Sequence, residues 1–134
     1  MRGTLYPASN VVFWAQDQNP AEAPRAKDPN MATDLLGSSF GKWEAVENSA
    51  LALTEVATLL SLPGRKCANG VDVPVGNADW IKFVQGLQDA GMVAYAAAKA
   101  KDQDKIISAT DVLTKACQNC HARYRERRGA ERCK

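Results

Sequence analysis

From Trp43 to Leu60 the apolar residues return every three or four positions: Trp43, Val46, Ala50, Leu53, Ala57 and Leu60. On a helix this spacing places all six along one stripe. Such a stripe must be buried, so the chain has to supply other helices with matching faces. Trp80, Val84, Leu87, Gly91, Ala94 and Ala98 repeat the pattern, and Ile106, Ala109, Leu113, Ala116, Cys120 and Tyr124 make a third stripe. A fourth segment, from Thr4 to about Gln16, holds Val11, Val12, Phe13 and Trp14. No stretch alternates with period two, so no sheet is expected. The reading is an all-α protein, an antiparallel (up-down-up-down) four-helix bundle with two short connections. One domain over residues 1–134 accommodates it.

The breaks are as informative as the stripes. Pro7 sits early in the first helix, where a missing backbone donor costs least, or it kinks the helix there. Pro20, Pro24 and Pro29 exclude a regular helix between Asn19 and Asn30, which reads as a long loop over one end. Pro63-Gly64 ends the second helix, and a loop from Arg65 to Gly76 follows. Asn77 is a good N-cap for the third, with Asp79 in its first turn. The fourth begins near Asp102 or Asp104 and is expected to end near Gly129. Trp43 and Trp80 read as core anchors. The small residues from Ala94 to Ala100 permit close approach of a neighbour or of a flat ligand.

With 46% hydrophobic and 24% charged residues the chain can bury one core, and its net charge of +2 points to no nucleic-acid partner. No apolar run reaches the ~20 residues of a membrane span. No apolar leader follows Met1, so if the chain is exported, what is given is the mature form. The charge is uneven. Lys115, Arg123, Arg125, Arg127, Arg128, Arg132 and Lys134 outweigh Glu126 and Glu131, giving this stretch +5 and leaving −3 on residues 1–114.

Cys117-Gln118-Asn119-Cys120-His121 contains the chain's single histidine. The spacing C-x-x-C-H is that of covalent haem attachment. Residues three apart share a helix face, so two thiols can reach the two vinyl groups on one side of a porphyrin. The adjacent imidazole then reaches the iron. Two other chemistries use similar residues. A redox C-x-x-C would want a strand before it and a helix after it, whereas this motif lies within a helical stripe. A zinc site could draw on Cys67, Cys117, Cys120, His121 and Cys133, but it leaves the small residues of the third helix unexplained.

Four helical stripes ending in Cys117-x-x-Cys120-His121-x-x-Tyr124-Arg125 resemble the cytochrome c′ family, including its low-spin relatives of the cytochrome c-556 type. The likeness covers essentially the whole chain, and the C-terminal motif is its specific part. In most other c-type cytochromes the motif lies near the N-terminus. The resemblance implies one haem c held through thioethers at Cys117 and Cys120, with His121 as proximal iron ligand. Arg125 matches a basic residue beside the proximal imidazole, whose charge disfavours imidazolium and tunes the iron. Tyr124 would pack on the haem edge.

The family divides on the sixth iron position, which the first helix supplies. Five-coordinate members place an apolar residue there and bind NO or CO; six-coordinate members place a methionine and carry electrons. Met1, Leu5 and Tyr6 are the candidates here, with Met1 the expected ligand and an open site under Leu5 or Tyr6 the alternative. Met31 and Met92 rank lower. In such a bundle the second and fourth helices run the same way, so Cys67 and Cys133 should meet at one end and form a disulfide; two unpaired thiols are the alternative. The implied function is a periplasmic electron carrier, not an enzyme, whose basic C-terminal stretch orients acidic redox partners. Family members often pair through their first two helices, so a homodimer is a further implication.

Overall fold

The computed structural model describes residues 3–126, 132 and 133. They form four α-helices: α1 (Leu5–Asp17), α2 (Lys42–Ala57), α3 (Ala78–Lys99) and α4 (Gln103–Cys120). No strand occurs among the described residues; one isolated β-bridge joins Lys66 and Asp72. The helices close a ring in which α1 packs on α2, α2 on α3, α3 on α4 and α4 on α1.

Each stripe read from the sequence is buried over most of its length, with Leu60, Ala116 and Cys120 half-buried. Trp43, Val46, Ala50, Leu53 and Ala57 face the core from α2, Trp80, Val84, Leu87, Gly91, Ala94 and Ala98 from α3, and Ile106, Ala109 and Leu113 from α4. From α1 the core takes Leu5, Ala8, Val11, Val12 and Ala15, while Trp14 faces outward. Pro7 lies in the first turn of α1, where no intrahelical donor is missing, and the helix runs on past it.

The proline-rich segment after α1 forms short 3₁₀ turns at Pro20–Glu22, Pro29–Met31 and Leu35–Gly37. Asn19 and Asp34 cap two of them through their side chains. α2 ends in a 3₁₀ turn, Thr58–Ser61. Trp80 at the start of α3 is tied to that turn, its indole N–H donating to the Leu60 carbonyl at 3.0 Å. Midway along, Gly91 lets the backbones of α2 and α3 meet. A Cβ there would stand 2.3 Å from Thr54 Oγ1 and 3.0 Å from the Thr54 nitrogen.

Helix ends from distant parts of the sequence meet at both ends of the bundle. At one, the Gln103 amide donates to the Ala15 carbonyl at 2.6 Å, and the Thr110 hydroxyl approaches Gln16 Oε1 at 2.6 Å. At the other, Tyr124 from beyond α4 reaches Asp79 in the first turn of α3. Ala94, Ala97 and Ala98 belong to the former end, close to the turn where the Asp102 N–H bonds the Ala97 carbonyl. All three are buried in the core there.

Candidate functional site

The inner stripe of α4 continues from Leu113 through Ala116, Cys117 and Cys120 to Tyr124. Cys117 and Cys120 occupy the last turn of α4. The α-helix therefore stops at Cys120, earlier than the sequence suggested, and Gly129 lies outside the described residues. His121 opens a wider π turn, His121–Arg125, closed by the Glu126 N–H on the His121 carbonyl at 2.9 Å. Single π turns in helices are frequent at functional sites.

Cys117 and Cys120 are both free thiols, half-buried against the core. Burial pushes both thiols up, and for Cys120, with the nearby Cys117 and Asp79 adding to it, to about 11. Burial, helped by the Arg125 charge and opposed by Glu126, holds the His121 imidazole below its usual value. At neutral pH the motif thus presents two protonated thiols and a neutral imidazole. A neutral imidazole is the form that ligates a metal. Both cysteines are only partly buried. The donor set fits haem c: the porphyrin brings four nitrogens of its own, and one histidine suffices for the fifth position.

A zinc site fits less well. Cys67 and Cys133 are bonded to each other, with their Cα atoms 6.6 Å apart, which removes two of the five candidate donors. Among the described residues no three His, Cys, Asp or Glu side chains gather where they could hold a metal ion by themselves. The bridge depends on a small loop. Val71 and Arg65 carbonyls accept from Cys67 and Val73, and Gly70, at φ 81°, turns the chain so that its N–H bonds the Cys67 carbonyl.

Tyr124 is 3% exposed. Its ring meets the edge of Trp80 at 4.9 Å and of Phe83 at 6.2 Å, and its hydroxyl donates to Asp79 Oδ1 at 2.5 Å. Arg123 stacks over the same ring at 4.9 Å and pairs with Asp79 Oδ2 at 3.2 Å. Arg125 is exposed, close enough for its charge to act on His121 and Cys117. Its carbonyl accepts from Arg132 Nε at 3.0 Å, and the Cys133 N–H donates to the Tyr124 carbonyl at 3.1 Å. The bridged tail thereby caps the turn that follows the motif.

Of the first-helix candidates, Leu5 is 4% exposed and Tyr6 65% exposed, so Leu5 faces the core and Tyr6 solvent. Met1 lies outside the described residues. Met31 and Met92, at 78% and 47% exposed, lie on the surface. An open groove of about 890 Å³, lined by Trp43, Glu47 and Tyr95 among others, shares no residue with the motif. Asp79 was visible in the sequence only as a first-turn acid. Its grip on two residues beyond the motif spans 45 positions, which no local pattern reports.

No family model, no characterised protein and no solved structure matches this chain.

Proposed function

We propose that this chain is a monohaem c-type cytochrome of the cytochrome c′ kind, an electron carrier of the periplasm and not an enzyme. The observation that carries the reading is the division of the four cysteines. Cys67 and Cys133 pair with each other, while Cys117 and Cys120 stay free on one helix edge beside the single histidine. When bound, the haem supplies an iron that changes oxidation state by one electron. The chain's part is to hold the ring by two sulfurs, present a neutral imidazole to one face and shield that face. Burial and the Arg125 charge favour the neutral imidazole. Trp80, Phe83 and Tyr124 pack edge to face in the core next to the turn that His121 opens. The Cys67–Cys133 bridge suits an oxidising compartment, where haem c is also attached.

An up-down-up-down order is supported by contacts at helix ends: Gln103 on Ala15, Trp80 on Leu60, Tyr124 on Asp79. In that order, the step from Gln16 back to Leu5 along α1 matches the step from Thr110 forward to His121 along α4, about 16 Å each. Leu5 then stands level with the motif. Methionine ligation by Met1 gives a low-spin carrier. The burial of Leu5 favours a second reading, a five-coordinate iron under an apolar cover that binds NO or CO. Lys115, Arg123 and Arg125 flank the motif and favour acidic redox partners.

Ferric and ferrous absorption spectra, with and without CO, test both. A carrier with Met1 ligation gives a low-spin ferric spectrum with a thioether charge-transfer band at the red end and no CO shift. A high-spin ferric spectrum with a CO-sensitive ferrous form selects the gas-binding reading, and a colourless holopreparation rejects both.

A further inference from the structure

Beyond His121 the chain is held by the bridged tail and by one carboxylate of α3. Asp79 Oδ1 accepts from the Tyr124 hydroxyl at 2.5 Å, and Oδ2 accepts from Arg123 Nε at 3.2 Å. The carboxylate is itself fixed, because Oδ1 also accepts from the Trp80 N–H at 2.9 Å. Trp80 in turn is held to the end of α2 through Leu60 and carries the edge of the Tyr124 ring. Two adjacent residues of the π turn are therefore pinned to α3 by both oxygens of one side chain. His121 is the joint between this pinned turn and the rigid α4.

We infer that Asp79 is a positioning residue for the iron-ligating histidine, acting through Tyr124 and Arg123 to fix the π turn and hence the orientation of the His121 ring. The inference rests on the haem reading above. An axial imidazole sets the electronic state of its iron by its angle and distance, so the groups that orient the ligand act on the metal without touching it. The chemistry also explains why a carboxylate stands here. Two acceptor oxygens serve a phenol and a guanidinium at once, whereas an amide would turn a donor toward one of them. A π turn has fewer favourable local constraints than an α turn, and external anchors select one geometry for it. The alternative role for the same contacts is stability alone, and the two roles separate experimentally.

The test is electron paramagnetic resonance of the ferric holoprotein, with the reduction potential and denaturant midpoint measured on the same samples. Tyr124→Phe removes one oxygen from a buried ring and leaves every charge in place. Asp79→Ala removes both contacts. Lys82→Ala, on the exposed side of the same helix, is the control. The expected result is loss of the single wild-type iron signal in Tyr124→Phe and Asp79→Ala, replaced by a shifted or split one, with Lys82→Ala unchanged. Haem-loaded Tyr124→Phe and Asp79→Ala with wild-type signals and potentials, even if less stable, overturn the inference. Should both variants fail to fold, a crystal structure of the wild-type holoprotein decides: Tyr124 and Arg123 both on Asp79 supports the clamp, and either one beyond hydrogen-bond reach overturns it. Wild-type protein without haem overturns the reading beneath, which is a separate outcome.

Discussion

Replacing both bridged cysteines, Cys67→Ser with Cys133→Ser, should cost this chain about 4 kcal/mol. The bridge spans a sequence separation of 66 residues. Closing a loop of that length in the unfolded chain removes entropy worth about 4.4 kcal/mol at 25 °C. The folded state also loses the fixed tail that places the Cys133 N–H on the Tyr124 carbonyl and Arg132 on the Arg125 carbonyl. At ~2.1 cal/mol/K per residue, unfolding 134 residues has an entropy of about 0.28 kcal/mol/K, so the midpoint should fall by about 15 °C. Circular dichroism of the haem-loaded protein during heating reads this directly. A phosphine reductant should reproduce the shift in the wild type and do nothing further to the double variant. It opens disulfides but leaves thioethers intact, so a haem held through thioethers would stay attached throughout. A fall of less than about 3 °C, or a reductant effect that persists in the double variant, would refute the assignment of this bridge as a major constraint on the fold.

Other outcomes follow from single contacts. Gly91→Ala should destabilise by about 1–3 kcal/mol in denaturant titrations, because its Cβ would meet Thr54 at 2.3 Å. Gly86→Ala, with nothing within 4 Å, should stabilise by about 0.5–1 kcal/mol, and equal effects at the two sites would contradict the α2–α3 crossing. Trp80→Phe removes the donor to Leu60 and should cost about 1–2 kcal/mol, read by chemical denaturation. The Tyr124 hydroxyl, with Arg123, holds the Asp79 carboxyl below its ordinary value. Its contribution to stability is thus present above the unfolded carboxylate range and lost as pH falls through the depressed folded value, on the acid side of about 4. Carbon-detected NMR titration should show Asp79 returning toward its ordinary value in Tyr124→Phe; an unmoved titration would contradict that hydrogen bond.

The helical stripes were legible because burial selects residues at fixed angular spacing. Trp43, Leu53, Leu87 and Leu113 all lie inside as their spacing requires. The pairing of Cys67 with Cys133 was expected from the order of the helices in a bundle, and the two cysteines are bridged. The end of the fourth helix was not. The sequence stripe passes through Cys120 to Tyr124 without a break, and nothing in residue type distinguishes an i→i+5 bond at His121 from an ordinary turn. Asn77 stands at the N-cap of α3 as its residue type led one to expect, although the Trp80 N–H is taken by Asp79 Oδ1. The alanines from Ala94 to Ala98 showed small size in the sequence but not which end of the bundle they occupy. That depends on the α3–α4 turn. Asp79 with Tyr124 was invisible for the same reason, since contacts between helices leave no local periodicity.

The mass of the peptide spanning Cys117–His121 tests the account most directly. The chain should be exported through an intact haem-attachment system, digested and sequenced by mass spectrometry. The account requires that peptide to carry one haem joined to both sulfurs, with Cys67 and Cys133 recovered as a bridged pair. An unmodified peptide from the same preparation, its two thiols free or bonded to each other, contradicts it.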